Sequence, residues 1–530
     1  MSQPLHPKEV SPGLISAKGT TEPLLHALAA AGPRDFAVLA NQFVHRWSKA
    51  LGTEAVFEPS DNPTVRFKTQ FTGLYLRGFE EPHCVLIPPF IKPDDLSSLG
   101  ILNGISAENS LLVLCPSAEH YPLVAAALPK GRTFILSPSG IAGILAGDVS
   151  RNRDVLRRTI REQVDDLRWL HTFDTTRPVA GEMFFGRRRE LDLLRYQERD
   201  CFLITGPSKI GKSSLLYHYH WALLRNKDPR LSCSFYVDLQ PCTGWHEDAV
   251  ARFFATKFRD VPYTSRDLKF RELRSFLFTV QEKARSPIEI IIDEADAVCH
   301  MDLLLTVAEF ATSSRSRLIV VGRGAVRRFW LKHQSTAFGR LRDLRFQVLS
   351  RDEAWHLFTR PIEALGLRLE SPELIRELIL RETSRMPHLI QHCARSVITL
   401  ASEMSTDMIT PTMLHRGRDS FFDFGILRTH LDDLHSDLAR LAALNVLEGV
   451  RQGIHTPDKI QEILKGQGFT LSIGDVTYLC DDLVMNCLQT WDHSGYGPPR
   501  WDICETAQRH AAYLASIRQE CLNRVNASVR

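Results

Sequence analysis

No two of the 11 cysteines in this 530-residue chain are spaced C-x-x-C, which excludes the redox and zinc motifs built on that pair. The thiols are instead scattered through strand-like and helix-like segments, as expected of buried cysteines in a reducing compartment, and a cytoplasmic location is expected. Long apolar runs are missing too. The most apolar stretches, Leu111 to Leu114 and Ile288 to Ile292, have strand length and fall far short of a bilayer crossing, so no membrane partner is expected. The first residues, with Pro4, Pro7, Lys8, Glu9 and Pro12, do not resemble a secretory signal. Nor is one sign of charge in excess: a net charge of +3 is too small to argue for nucleic acid by itself. The 44% hydrophobic and 24% charged contents are those of a globular protein, and the length is too great for one core, so three or four domains are expected.

What is present is a complete G-x-x-x-x-G-K-[ST] segment: Gly206, Pro207, Ser208, Lys209, Ile210, Gly211, Lys212 and Ser213, followed by Ser214. It follows an apolar run, Phe202 to Ile204, and precedes a helix-like Leu215-Leu216-Tyr217. Glycines let successive backbone N–H groups wrap phosphates, and the helix amino terminus adds positive potential. Lys212 reaches the terminal phosphates, and Ser213 offers an oxygen to Mg²⁺. ATP and Mg²⁺ are therefore the expected cofactors. A second element organises metal and water. In Ile288-Glu-Ile-Ile-Ile292-Asp293-Glu294, a β-branched run of buried-strand type ends in two acids. Asp293 there can hold Mg²⁺ through water, and Glu294 can orient or deprotonate the attacking water. Asp296 completes the letters D-E-A-D and reads as a cap or a solvated acid.

Domain boundaries follow from composition. Residues 1–20 read as a tail and 21–170 as a small α/β domain. Its strand-like segments are Thr53 to Glu58, Leu74 to Leu76, Cys84 to Ile87, Leu111 to Cys115 and Thr133 to Leu136. The later part resembles the closing half of restriction-endonuclease-like domains. The acid and acid-x-lysine pair that such nucleases use are missing from Tyr75 to Ile91, where Glu80 and Glu81 sit in a turn before Pro82. An inactive recognition or scaffold domain is expected.

Just ahead of the phosphate loop stands Phe184-Phe-Gly186-Arg187-Arg-Arg-Glu190-Leu191. This F-x-G-R-x-x-E-L segment resembles the entry of STAND ATPases and their AAA+ relatives, the origin-recognition type included. The resemblance places Gly186 in a tight turn and Arg187 close to the nucleotide. It continues through a strand at Ser234 to Gln240 and one at Arg317 to Gly322 that ends in Arg323, which matches the sensor arginine that reads the terminal phosphate. Arg327, Arg328, Arg340 and Arg342 follow before a strand at Arg345 to Leu349, and one of them could act as an arginine finger across a subunit boundary. Residues 171–345 are thus the expected ATPase core. Residues 346–430 resemble the helical lid of STAND proteins, with Arg385-Met386-Pro387 in place of its nucleotide-sensing G-x-P turn. Pro387 keeps the pattern and the glycine is absent.

Residues 431–530 give three helical patterns, Ser436 to Glu448, Thr456 to Lys465 and Ser472 to Leu488, then a hairpin from Thr490-Trp491 to Trp501. That is winged-helix order. Its third helix carries Asp475, Asp481 and Asp482, with Asn486 as the one obvious base reader and Arg500 on the wing, so packing is favoured over DNA contact. The expected fold is α/β and multidomain: a parallel-sheet P-loop NTPase core with helical lid, an amino-terminal α/β domain and a carboxyl-terminal winged helix. The resemblance implies an ATP-hydrolysing switch in bacterial defence or signalling that changes domain packing and assembles with itself or a partner protein. Two alternatives stay open: a DNA-associated AAA+ ATPase, such as an initiator or mobile-element loader, and a nucleotide-binding scaffold with little turnover.

Overall fold

The computed structural model describes residues 22–529 apart from 59–63, 72, 92–109, 129–132, 165, 198–199, 207, 226–232, 259–267, 299–301, 384, 418–436, 455, 484–487, 491–500 and 504–510. The chain clusters into two compact units. One comprises Met1–Thr172, Thr359–Arg368 and Ala401–Met408; the other comprises Phe173–Phe358, Leu369–Leu400 and Ile409–Arg530.

The first unit is mixed α/β. Helices α1 (Glu22–Ala29) and α2 (Pro33–Leu51) precede strands β1 (Ala55–Glu58), β2 (Val65–Thr69), β3 (His83–Leu86) and β4 (Leu111–Leu114). Helix α3 (Tyr121–Ala127), β5 (Thr133–Leu136), α4 (Pro138–Leu145) and α5 (Val149–Arg161) follow. The sheet runs β1-β2-β3-β4-β5, antiparallel up to β3 and parallel from β3 to β5. Period-two alternation puts Val85, Leu111, Val113 and Ile135 on the face that packs Val124 of α3. Asn152, fully buried, ties α2 to α5: its Nδ2 donates to the carbonyls of Ala50 and Gly147, and its Oδ1 accepts the Gly147 N–H.

One expectation needs correction here. Leu74 to Leu76 is not a strand, because Tyr75 takes a left-handed φ of 52°, which breaks the pleat while Leu74 and Leu76 stay buried. The strand is β2, whose Arg66 and Lys68 conceal a short alternation around the buried Phe67.

The second unit is built on a five-stranded, fully parallel sheet. Helix α6 (Arg188–Tyr196) leads into β6 (Phe202–Thr205), α7 (Lys212–Arg225), β7 (Ser234–Asp238), α8 (Glu247–Ala255) and α9 (Leu273–Ala284). Then come β8 (Glu289–Asp293), α10 (Leu303–Ser314), β9 (Arg317–Gly322), α11 (Gly324–Lys332) and β10 (Arg342–Arg345). The last strand thus precedes the expected Arg345 to Leu349. Strand order is β10-β6-β9-β8-β7. From β6 the chain jumps across to the far edge, works back through β8 to β9, and then passes over β6 to add β10 on its other side. Since such crossovers are right-handed, α7 lies on one face and the helices of the return steps on the other. The core divides accordingly. Ile204, Ile291 and Ile319 pack with Leu215 and Tyr219 of α7, whereas Ile290, Ile292 and Val320 pack with Val250, Leu277 and Val307. The reversal occurs at β6, the switch point outside whose carboxyl end ligands bind in open parallel sheets. This is the parallel-sheet α/β fold that the sequence predicts.

At the opposite, amino ends of these strands lies a buried ionic cluster. Arg317 Nη1 donates to Glu289 Oε2 at 2.6 Å and to the Tyr219 hydroxyl at 3.1 Å, while Ser234 Oγ donates to Glu289 Oε1 at 2.8 Å. It joins α7, β7, β8 and β9 in one register.

Helices α12 (Arg351–Ala364), α13 (Pro372–Glu382), α14 (Pro387–Glu403) and α15 (Pro411–Gly417) follow. Farther on are helices Asp437–Arg451, Pro457–Gly466 and Ile473–Leu483 and an antiparallel pair, Leu488–Thr490 with Trp501–Ile503. Asp475 and Ser472 cap the third helix reciprocally, each side chain accepting the other's backbone N–H. Asn486 and Arg500 lie outside the described residues. A further helix, Ala511–Val529, was not foreseen; Leu514, Ile517 and Cys521 dock it into the core around Leu441 to Val450. Among the described residues, no helix is long and apolar enough to cross a membrane.

Candidate functional site

The phosphate loop leaves β6 and returns as the first turn of α7, so its backbone N–H groups and the helix amino terminus face the same space. Ile210, 1% exposed, anchors the loop in the core beside Leu215. Lys209 and Gly211 take φ of 60° and 100°, the conformations that fold the loop back on itself. Ser208 is half-buried, as are Ser213 and Ser214, and Pro207 lies outside the described residues. Lys212 is buried, and its ammonium donates to the Gly206 carbonyl at 2.8 Å. Burial pushes its pKa down, and Glu294, Asp296 and Asp293 push back.

Those acids come from the end of β8. Asp293 lies on the α7 face with Ile291, by the period of two, and is 2% exposed. Its Oδ1 accepts the N–H of Glu294 at 2.9 Å, and its Oδ2 accepts the Tyr236 hydroxyl at 2.7 Å. Burial and then Asp293 raise the Tyr236 hydroxyl far above its ordinary range, which keeps it a donor. Glu294 adopts a left-handed φ of 51°, a conformation that costs a non-glycine residue about 1 kcal/mol and clusters at functional sites. Burial raises its carboxyl pKa, Lys212 opposes that shift and Asp293 adds to it.

Asp293 and Ser213 offer hard oxygen donors of the kind Mg²⁺ takes. No group of three or more His, Cys, Asp or Glu among the described residues could hold a metal alone. The fit is therefore to a cation held jointly with phosphates, by Asp293 and Ser213.

Arg323 stands just past β9, in extended conformation, as the residue before α11. Asp296 accepts the backbone N–H of Arg323 at 2.5 Å and that of Val326 at 3.1 Å, so it caps α11 from another loop. The Arg323 Nε lies 3.8 Å from Asp296 Oδ2. Of the other arginines, Arg327 pairs with Asp343 at 3.5 Å and Arg342 with Asp200 at 3.5 Å.

The entry segment wraps the phosphate-loop helix. Gly186 turns at φ 74°. Arg187, 7% exposed, donates through Nη2 to the carbonyls of Ile210 and Gln347 and stacks its guanidinium on Phe346 at 4.5 Å. It thus clamps the back of the phosphate loop, a task that sequence position alone does not reveal. Val179 N–H donates to Ser214 Oγ at 3.2 Å, and Gly181 N–H to His218 Nδ1 at 3.1 Å. In the lid turn, Arg385 takes φ 61°, the conformation a glycine favours, and Met386 buries beside Ile210 and Leu389 as Pro387 opens α14.

His218 gives a pH-dependent expectation. Burial, aided by Arg195, lowers its pKa to about 4, against about 6.5 for free imidazole. In the unfolded chain it takes up a proton that the folded chain refuses until about pH 4, so stability falls as pH drops through that window. The thermal midpoint should decline on acidification from pH 6.5, and less steeply in His218→Gln. Parallel profiles for the two proteins would exclude the histidine as the cause.

In the first unit, the acid on the sheet is Glu58, which Lys68 Nζ meets at 3.1 Å and His83 Nδ1 at 2.9 Å. Glu81 accepts from Gln70 Nε2 at 2.6 Å.

Among known proteins, no family model matches this chain and no curated protein does. Solved structures similar in fold include a Walker-type ATPase of Pyrococcus abyssi, at 15% identity and TM-score 0.47, covering 66% of this chain and 99% of that one. The ORC2 protein of Aeropyrum pernix, in its ADPNP and ADP complexes, matches at 11% identity and TM-score 0.47, covering 66% and 98%. Cdc6p of Pyrobaculum aerophilum matches at 14% and 0.38, covering 65% and 97%.

Proposed function

We propose that the chain binds ATP with Mg²⁺ at the carboxyl edge of its parallel sheet and hydrolyses it to switch between two states, as the STAND resemblance implies. One observation carries this reading: the buried Lys212 ammonium, delivered by the end of β6, lies within electrostatic reach of Asp293, Glu294 and Asp296 from the end of β8 and of Arg323 from the end of β9. Lys212 exchanges the Gly206 carbonyl for the terminal phosphates. Ser213 and Asp293 hold the cation, which neutralises charge on the phosphate oxygens. Glu294 orients the attacking water and takes its proton. Arg323, now beside Asp296, turns to the γ-phosphate, and this gives ATP a contact that ADP lacks. A ligand shifts a conformational equilibrium only through such unequal affinity.

The test is sedimentation of Glu294→Gln with Mg²⁺ and either ATP or ADP, alone and with candidate triggers including DNA. A larger species with ATP is expected, and Arg323→Ala should blunt it with less effect on ADP binding. Equal mass and equal hydrogen-exchange protection in both nucleotides would replace the switch with a scaffold. Turnover stimulated by DNA, without a change in mass, would favour a DNA-associated ATPase.

A further inference from the structure

We propose that Tyr236 is a positioning residue of the ATP site, whose hydroxyl fixes the orientation of the Asp293 carboxylate and thereby the affinity of the site for its divalent cation. This rests on the nucleotide reading above. A carboxylate turns readily about its last side-chain bond, so a site that presents one oxygen to a cation needs something to stop that rotation. Here each oxygen is held by a different donor: Oδ1 by the Glu294 N–H at 2.9 Å and Oδ2 by the Tyr236 hydroxyl at 2.7 Å. At 2% exposure Asp293 has little water to compete with them. Each oxygen keeps further lone-pair capacity for a cation or its water.

The strand register makes the contact possible. Tyr236 pairs with Ile291 and Asp238 with Asp293, so the phenol springs from the same face as Asp293, two residues back, and its length spans the difference. A phenylalanine would fill the same space without the hydroxyl. Tyr236 belongs to the edge strand of the sheet, outside both sequence motifs, and its substitution leaves the phosphate loop and the acids untouched.

The experiment is a MgCl₂ titration of methylanthraniloyl-ATP binding, followed by fluorescence, to wild type, Tyr236→Phe, Asp293→Asn and the double variant. Outer partners of metal ligands typically set affinity by about 10- to 100-fold. Tyr236→Phe should therefore raise the Mg²⁺ concentration at half-effect by about tenfold or more, with nucleotide affinity in EDTA little changed. In the Asp293→Asn background the same substitution should add nothing. An unchanged Mg²⁺ midpoint in Tyr236→Phe, or an equal shift with and without Asp293, overturns the proposal while leaving the nucleotide site intact. Absence of any nucleotide binding by wild type would instead refute the reading beneath it.

Discussion

Replacing Glu294 by Gln should leave ATP bound while turnover falls by about 10²- to 10⁴-fold, the range for removing a positioned general base. Glutamine keeps the size and hydrogen-bonding reach of the side chain, so the loop that carries it, with its left-handed backbone, has no steric reason to move. The lost charge is what matters. Burial raises the Glu294 carboxyl pKa, and the Lys212 ammonium opposes that shift. The nearby ammonium, freed of one opposing carboxylate, is at least as available to phosphate as before. Equilibrium binding of a fluorescent ATP analogue and single-turnover hydrolysis separate the two effects. A variant that loses binding and turnover together would assign Glu294 to holding nucleotide rather than activating water.

Lys212→Ala should fail in the opposite way. A charge-assisted contact to phosphate is worth about 1.5–3 kcal/mol, so ATP affinity should fall by about tenfold to more than a hundredfold. A second loss comes with it. Lys212 is, with Arg323, a cation among Asp293, Glu294 and Asp296, and truncation leaves those acids less well compensated in a confined space. The nucleotide-free variant should therefore also melt earlier, and more so at neutral pH than in mild acid, where Glu294, whose pKa burial raises, gives up its charge. Calorimetry at both pH values checks the sign, and a variant with unaltered ATP affinity would remove Lys212 from the phosphate site.

How much of this was legible beforehand depends on sequence distance. The phosphate loop is contiguous, and the acidic strand announces itself by three isoleucines before Asp293-Glu294, so these elements and the parallel sheet followed from local pattern. Tyr236 was invisible because its relevance depends on β7 lying beside β8 in one particular register, 57 residues away. Arg187 was visible as a motif letter but not as a clamp, since Gln347 and Phe346 meet it from across the domain. Helix Ala511–Val529 escaped because its buried stripe is thin: Leu514, Ile517 and Cys521 carry it, at a helical spacing that a search for 3.6-residue periodicity could have found. The left-handed backbone at Arg385 was illegible because the sequence offers no glycine there to mark it.

Asp296 and Val326 fill the space beside Gly322, which only a residue without a side chain leaves to them. A Cβ on Gly322 would stand 2.7 Å from Asp296 Oδ2 and 2.6 Å from Val326 Cγ2. The acidic motif and strand β9 are thus tied by a steric contract. Because Val326 crowds the same space as closely as Asp296, a side chain at position 322 demands change at both, so relatives of this chain should keep glycine there wherever they keep Asp296 and Val326.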